Sequence, residues 1–376
     1  MNRKKEIIKS LTLIAVSIFI ILVSNKIFEI NINGGKNKED FEYPKAKVLK
    51  VNKEMLTPDP NFKNIKLGYQ DIEIEILDGK YKNQKFNIRN SVSRMYNIRV
   101  KEGMTVIAGI YTKDGEISDT AIYSYRRGNV LLILILILFA VMIAVGNVKG
   151  LKSFSMIFFD AVMILYLTVP LAYKGLNPIL SSILTAITIA VLNMFMINGK
   201  GKKTNAAIIS TVIAVAISAM LSYLFGLITH LSGITMDKAE NIMYIAENTK
   251  MNISGFIFMI VVITYLGIIM DVVQFTLTSI FNEYNHGNHD EKNLFSIGMD
   301  SGKTVFETKI STLIFGFLGF SFIDIISMRA VDLQFNQLIN MDIIGTSLIQ
   351  LICGCIGIII AVPITSWVSV KILKNN

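Results

Sequence analysis

Long apolar runs separated by short polar breaks make up most of the chain, and a single polar stretch interrupts them near the start. The first run, Leu11–Val23, follows a basic tip carrying Arg3, Lys4 and Lys5. Its length would suit a secretory signal. Its exit, Ser24-Asn25-Lys26-Ile27-Phe28, has no small-x-small cleavage pattern, so it reads as an uncleaved signal anchor. Seven more runs follow, at Val130–Val145, Phe154–Ala172, Ile179–Ile197, Ala206–Ile228, Ile253–Phe275, Ile310–Ile326 and Ile343–Val370. Each comes near the ~20 residues that a helix needs to cross hydrocarbon. The pattern predicts a polytopic all-α membrane bundle of about eight transmembrane helices.

Between residues 26 and 127 the period changes. Ile72-Glu73-Ile74-Glu75-Ile76 alternates strictly, as a half-buried strand does, and Asp78-Gly79 marks a turn before Phe86 and Ile88 on a return strand. Tyr96–Val100 and Thr105–Tyr111, separated by the turn Glu102-Gly103, read as further strands, as does Ala121–Tyr125; Asn52–Asn64 reads as a loop. Five or six short strands with tight turns predict an inserted extracytoplasmic β-barrel-like domain of the OB or SH3-like kind. Three parts are expected: residues 1–25 as tip and anchor, 26–127 as the strand-rich domain, and 128–376 as seven membrane helices.

Two patterns refine the helical part. Ser210, Ala214, Ser218 and Ser222 place a small residue at every fourth position, and Ser182, Ala186 and Ala190 do the same one helix earlier. Small faces let backbones approach, so these helices are expected in the bundle interior. Thr235–Asn248 carries apolar and acidic residues at helical spacings and predicts an amphipathic helix on the outer interface.

Composition agrees with the pattern. Hydrophobic residues are 52% of the 376 positions and charged residues 17%, against about a quarter charged in soluble domains. The net charge of +9 sits in small groups at the ends of apolar runs, without the basic, aromatic-interleaved stripe of a nucleic-acid binder. The short loops on one side receive Lys149, Lys152, Lys200, Lys202, Lys203, the segment Asn282–Lys309, Lys371 and Lys374; the other side receives Lys174, Lys238, Lys250 and Arg329. The positive-inside rule then places both termini in the cytoplasm and the strand domain on the outer side of the membrane.

Little in the sequence points to an enzyme. Gly298-Met299-Asp300-Ser301-Gly302-Lys303-Thr304 has three residues between its glycines where a phosphate loop needs four. His286 and His289, beside Asp290 and Glu291, lie in a polar connector and read as solvated. Cys353 and Cys355 point to separate faces of one helix and read as small packing residues, not metal ligands. No cofactor and no catalytic constellation is expected. The sharper signal is acidic groups within apolar runs, since a carboxylate costs at least about 2.5–3.5 kcal/mol at the centre of a membrane helix. Asp271 is the first of these, with Gly267 one turn before it and Gln274 one turn after; Asp160 and Asp324 sit nearer the ends of their runs. Asp271 is expected either to line a proton or ion path or to hydrogen-bond to Ser, Thr or Gln274. Gly267 is expected to let a neighbouring backbone approach.

Three stretches resemble the YibE/F-like family of bacterial multi-pass membrane proteins. They are Lys45-Ala46-Lys47-Val48 through Val100-Lys101-Glu102-Gly103-Met104-Thr105-Val106; Gly267-Ile268-Ile269-Met270-Asp271-Val272 running on to Ser279 and Glu283; and Phe295-Ser296-Ile297-Gly298-Met299 with Gly302 and then Thr312-Leu313-Ile314. Lys303-Thr304 departs from the family pattern, which has an acidic residue shortly after the second glycine. The resemblance implies a plasma-membrane protein with no reaction to carry over, and a paralogous subunit or a second copy as partner besides the lipid bilayer. A transporter or permease-like component of an export system, with Asp271 on its path, is the leading expectation. A membrane scaffold whose outer domain binds a protein or envelope partner is the alternative.

Overall fold

The computed structural model describes residues 3–27, 39–113, 116–231, 243–244, 246–247, 255–287, 289–331 and 333–374. The chain divides into two compact units, Asn33–Val141 and Met1–Ile32 with Met142–Asn376.

The first unit is built on a six-stranded antiparallel sheet: β1 (Glu39–Glu42), β2 (Lys45–Pro58), β3 (Lys66–Ile76), β4 (Lys85–Val92), β5 (Thr105–Lys113) and β6 (Glu116–Tyr125). The strand order is β1-β5-β2-β3-β4, with β6 on β5. The alternation read at Ile72–Ile76 has its expected cause, because Ile72, Ile74 and Ile76 enter a core with Val48, Val106, Ala108 and Ile110. Gly79 and Gly103 adopt positive φ, as the turns at those positions require. Among the described residues no hydrogen-bonded pairing joins β4 to β6, so an antiparallel sheet is shown and its closure into a barrel is not.

Two sequence expectations fail here, each for a long-range reason. The stretch Asn52–Asn64 is a loop only from Asp59 onward. Strand β2 stays paired with β3 as far as Pro58↔Lys66, and the connection shrinks to a turn in which the Asp59 carboxylate accepts the N–H groups of Asn61 and Phe62 at 2.7 and 3.2 Å. Nor is Tyr96–Val100 a strand. Side chains hold it instead. Gln70, fully buried on β3, accepts the N–H of Val100 at 2.9 Å and donates to its carbonyl at 2.9 Å. Asn90 on β4 donates to the Ile98 carbonyl at 2.8 Å. Two buried amides thus replace a strand ladder, satisfying backbone groups that would otherwise be orphaned.

The other helices are α1 (Arg3–Ile27), α2 (Gly128–Gly146), α3 (Val148–Tyr173), α4 (Pro178–Asn198), α5 (Lys202–Ile228), α6 (Phe256–Asn285), α7 (Glu291–Phe320), α8 (Phe322–Ala330), α9 (Phe335–Ile339) and α10 (Asp342–Lys374). Seven of these are long and apolar enough to cross a membrane, and α7 with α8, bent by 56° at Ser321, makes an eighth if the pair is one span. Helix α2 buries none of its side chains. The predicted amphipathic helix at Thr235–Asn248 lies almost wholly outside the described residues.

Small residues set the packing of the second unit. Ser210, Ala214, Ser218 and Ser222 of α5 are all buried, as are Ser182, Ala186 and Ala190 of α4. A Cβ at Gly357 would lie 2.5 Å from that of Ser218, and one at Gly354 would lie 2.2 Å from the Tyr265 ring, so α10 is seated against α5 and α6 through its glycines. The stretch Gly298–Thr304 is helical, not a loop, because Gly298 and Gly302 share one face of α7 and press onto Ser366 and Val362 of α10. Helix α3 widens into a π turn at Ile164–Thr168, just before Pro170. Pro170 cannot donate to the carbonyl four residues back, that of Tyr166. Ser24 of α1 supplies the missing donor at 2.6 Å.

Two predictions concern the sheet. Residues 39–125, expressed alone, are expected to unfold cooperatively, and Gln70→Ala to cost about 2–3 kcal/mol by leaving buried Val100 groups unpaired. Chemical denaturation checks this, and an unchanged midpoint would contradict the role of Gln70. Hydrogen bonds from Arg94, Arg89 and Lys45 hold the carboxyls of Asp59, Asp71 and Asp78 below their ordinary range. Carboxylates so lowered stabilise the fold above their unfolded pKa of about 4 and lose that contribution as pH falls through the folded values. The melting temperature should therefore be flat above about pH 5 and decline below about pH 4.

Candidate functional site

Helices α3, α4 and α6 diverge around a cavity of about 590 Å³. Its wall is mostly aliphatic, with Met156, Ile164, Ile189, Met194, Leu266 and Met270 among the lining residues. Into this wall are set two carboxylates, Asp160 and Asp271, and the amides of Asn193 and Gln274. Gly267, Asp271 and Gln274 follow one another at helical spacing and share the cavity-facing side of α6. Asp160, Gly267, Asp271 and Gln274, four of the five residues singled out in the apolar runs, therefore border one space.

The structure corrects the role read for Gly267. Among the described residues a Cβ there would meet nothing within 4 Å, so no described backbone approaches it. Its missing side chain enlarges the cavity. Asp160 is also not near a helix end, because α3 starts at Val148 and places it midway along a 26-residue helix.

The two carboxylates are compensated differently. Asp271 pairs with Lys309 of α7, whose ammonium donates at 2.7 Å. The expected partners, Ser, Thr or Gln274, are not the ones it takes. Nothing in the sequence points to Lys309, because the stretch before Ile310 reads as a polar loop, whereas α7 runs unbroken through it from Glu291. Asp160 receives both its hydrogen bonds from one group, the Asn193 amide, at 3.1 and 2.9 Å. Among the described residues Asp160 has no ion-pair partner. Asn193 is only 5% exposed, and its carbonyl oxygen has no hydrogen-bond partner there.

A polar track continues from the cavity along α6. Gln274 exchanges two hydrogen bonds with Asn198, both at 2.8 Å. Thr278, one turn further on, accepts from Lys203 at 3.0 Å. Asn193 and Asn198 were legible in principle, as polar residues in an apolar run; their partners, 33 and 76 residues away in sequence, were not. Asp324 lies on exposed α8, away from this wall. His289 packs edge-on against Tyr284, 4.6 Å between ring centroids, and Asp290 caps α7 by accepting the Asn293 N–H at 3.0 Å. Among the described residues no three His, Cys, Asp or Glu side chains gather in a way that would hold a metal ion.

Comparison with known families gives two matches. A model described as YibE/F-like protein covers residues 134–375, and one described as YibE/F family N-terminal domain covers residues 40–125. No curated protein and no solved structure matches the chain. The family match and the apolar helices fit an integral membrane protein.

The Asp271–Lys309 pair yields a prediction. Lys309→Ala strands a carboxylate midway along an apolar helix. Asp271 is 62% and Lys309 34% exposed at the side chain, so the loss is about 0–1 kcal/mol with water around the pair and about 2.5–3.5 kcal/mol with lipid around it, and the larger value is expected. The double variant Asp271→Asn/Lys309→Gln should regain most of it. Thermal unfolding of the purified protein measures both, and a Lys309→Ala variant as stable as the parent would show that the pair carries no structural weight.

Proposed function

The chain belongs to the YibE/F-like family, and on that footing we propose that it is a permease-like component of a bacterial plasma-membrane export system, with the cavity between α3, α4 and α6 as part of the path. One observation supports this above the others. A roomy space in an apolar bundle carries two carboxylates and two amides at its wall, and ionisable groups at membrane depth face cavities or partners because lipid does not solvate them. Pockets of a few hundred cubic ångströms with a few convergent polar groups are the usual form of a small-molecule site.

The orientation has both termini inside. Glu6 of α1 pairs with Lys152 of α3 at 3.0 Å, and Lys374 of α10 pairs with Glu291 of α7 at 2.9 Å. Each pairing joins ends that the positive-inside rule assigns to the cytoplasm. A paralogous subunit or a second copy is the proposed partner in the membrane. The scaffold alternative draws on a different observation: Phe41, Tyr43 and Tyr123 are exposed on the sheet, in ring pairs Phe41–Tyr111 at 4.8 Å and Tyr43–Tyr123 at 4.7 Å. Such a surface suits a protein or envelope partner.

Single cysteines in a Cys353→Ala/Cys355→Ala background separate the readings. Lys200→Cys should react with a membrane-impermeant thiol reagent only in inverted vesicles, and Lys174→Cys only in intact cells. Gly267→Cys, whose side chain has room, should react from at least one side. Protection of Gly267→Cys from both sides, with the two controls labelled as expected, would mean a dry bundle and favour the scaffold.

A further inference from the structure

The wall of the cavity has an unequal charge balance. Asp271 is paired with Lys309, whereas Asp160 meets only a neutral amide, so with both carboxylates ionised the two of them and one ammonium leave one negative charge at the cavity. The Asn193 carbonyl oxygen beside it is a buried acceptor without a donor. Both groups are short of the same thing, a positively charged or N–H-bearing ligand. Among the described residues the charged side chains on the elements packed around Asp160 do not reach it: Glu6 pairs with Lys9 and Lys152, α4 contributes none, and Arg3, Lys4, Lys5, Lys26, Lys149 and Glu283 are not among the residues that line the cavity.

What surrounds the charge narrows the ligand. A bare metal cation needs several oxygen ligands converging at short range, and no cluster of three acidic, His or Cys side chains is present among the described residues. The rest of the wall is aliphatic and rich in methionine, with Met156, Met194 and Met270. Methionine side chains adapt to irregular apolar shapes and recur at promiscuous binding surfaces. Gly267 keeps the space open.

We propose that the cavity binds an amphipathic organic monocation, its cationic head at Asp160 and the Asn193 carbonyl and its apolar body on the methionine and isoleucine wall. The proposal rests on the cavity being the permeation site, and it names the class of solute that site takes. Asp160 is the binding carboxylate; Asp271 is held in reserve by Lys309.

Tetraphenylphosphonium and tetraphenylborate, alike in shape and opposite in charge, test it on the full-length protein. In Gly267→Cys protein purified in lipid nanodiscs, tetraphenylphosphonium should slow thiol labelling saturably and tetraphenylborate should not. Adding Asp160→Asn should raise the half-protecting concentration at least about tenfold, the loss expected when a charge-assisted contact is removed, and Asp160→Glu should restore part of it. Asp271→Asn alone should also weaken protection, because it frees the Lys309 charge, while Asp271→Asn/Lys309→Gln should not. Labelling that neither ion slows, or that both slow equally, or protection indifferent to Asp160→Asn, would overturn the monocation proposal and leave the open cavity standing. No labelling at all of Gly267→Cys would overturn both.

Discussion

Close approach of helix backbones is the constraint on which the rest of the helical unit depends. Helices apolar on every side gain little from hiding from lipid, so their association rests on fit. Here the fit is glycine against small or flat neighbours. Gly357 lies on Ser218, Gly354 lies under the Tyr265 ring, and Gly298 and Gly302 lie on Ser366 and Val362. The small ridge of α5 lets α10 settle into the bundle, and Ser218 then donates to the Cys353 carbonyl at 2.8 Å. A side chain at any of these glycines would run into Ser218, the Tyr265 ring, Ser366 or Val362, so those side chains or the helices that carry them would have to shift.

That tight side of the bundle is what makes the loose side informative. Helix α6 has its buried face, with Tyr265, Ile269 and Val273, in the packed core, while Gly267, Asp271 and Gln274 face the opening shared with α3 and α4. One helix therefore carries both the seam and the cavity wall, and a shift in the seam would be felt at Asp271. The π turn of α3 starts four residues after Asp160, and its irregular backbone is satisfied by the Ser24 hydroxyl on the Tyr166 carbonyl and by the Thr168 hydroxyl on the Met163 carbonyl at 3.2 Å. Such turns recur at functional positions because they re-aim side chains locally.

In the sheet unit, polar residues do structural work that strands do elsewhere. Gln70 and Asn90 sit on inward positions of β3 and β4, where the alternation calls for aliphatic side chains, and each finds its partners in the 96–100 segment. Tyr125 completes the clasp by accepting the Arg99 N–H and donating to its carbonyl. The segment's apolar alternation suggested a strand, and its Val100 is indeed buried. Its backbone is paired to side chains across the core and not to a neighbouring strand.

Whatever has a short period was legible along the chain: the apolar runs, the strand alternation at Ile72–Ile76, the turns at Gly79 and Gly103, the small ridges, and the polar residues set into apolar runs, Asp271 and Asp160 among them. These are properties of ten or twenty consecutive positions, set by backbone geometry and by the cost of placing polar groups among apolar ones. Tertiary structure decided the rest. It joined Asp271 to Lys309 across 38 residues, Gln274 to Asn198 across 76, and Asp160 to Asn193 across 33. It also kept α7 helical through a stretch that looks like a loop. The reason is physical: a buried polar group must find a partner, but local periodicity does not say which of several distant ones the packing brings within reach.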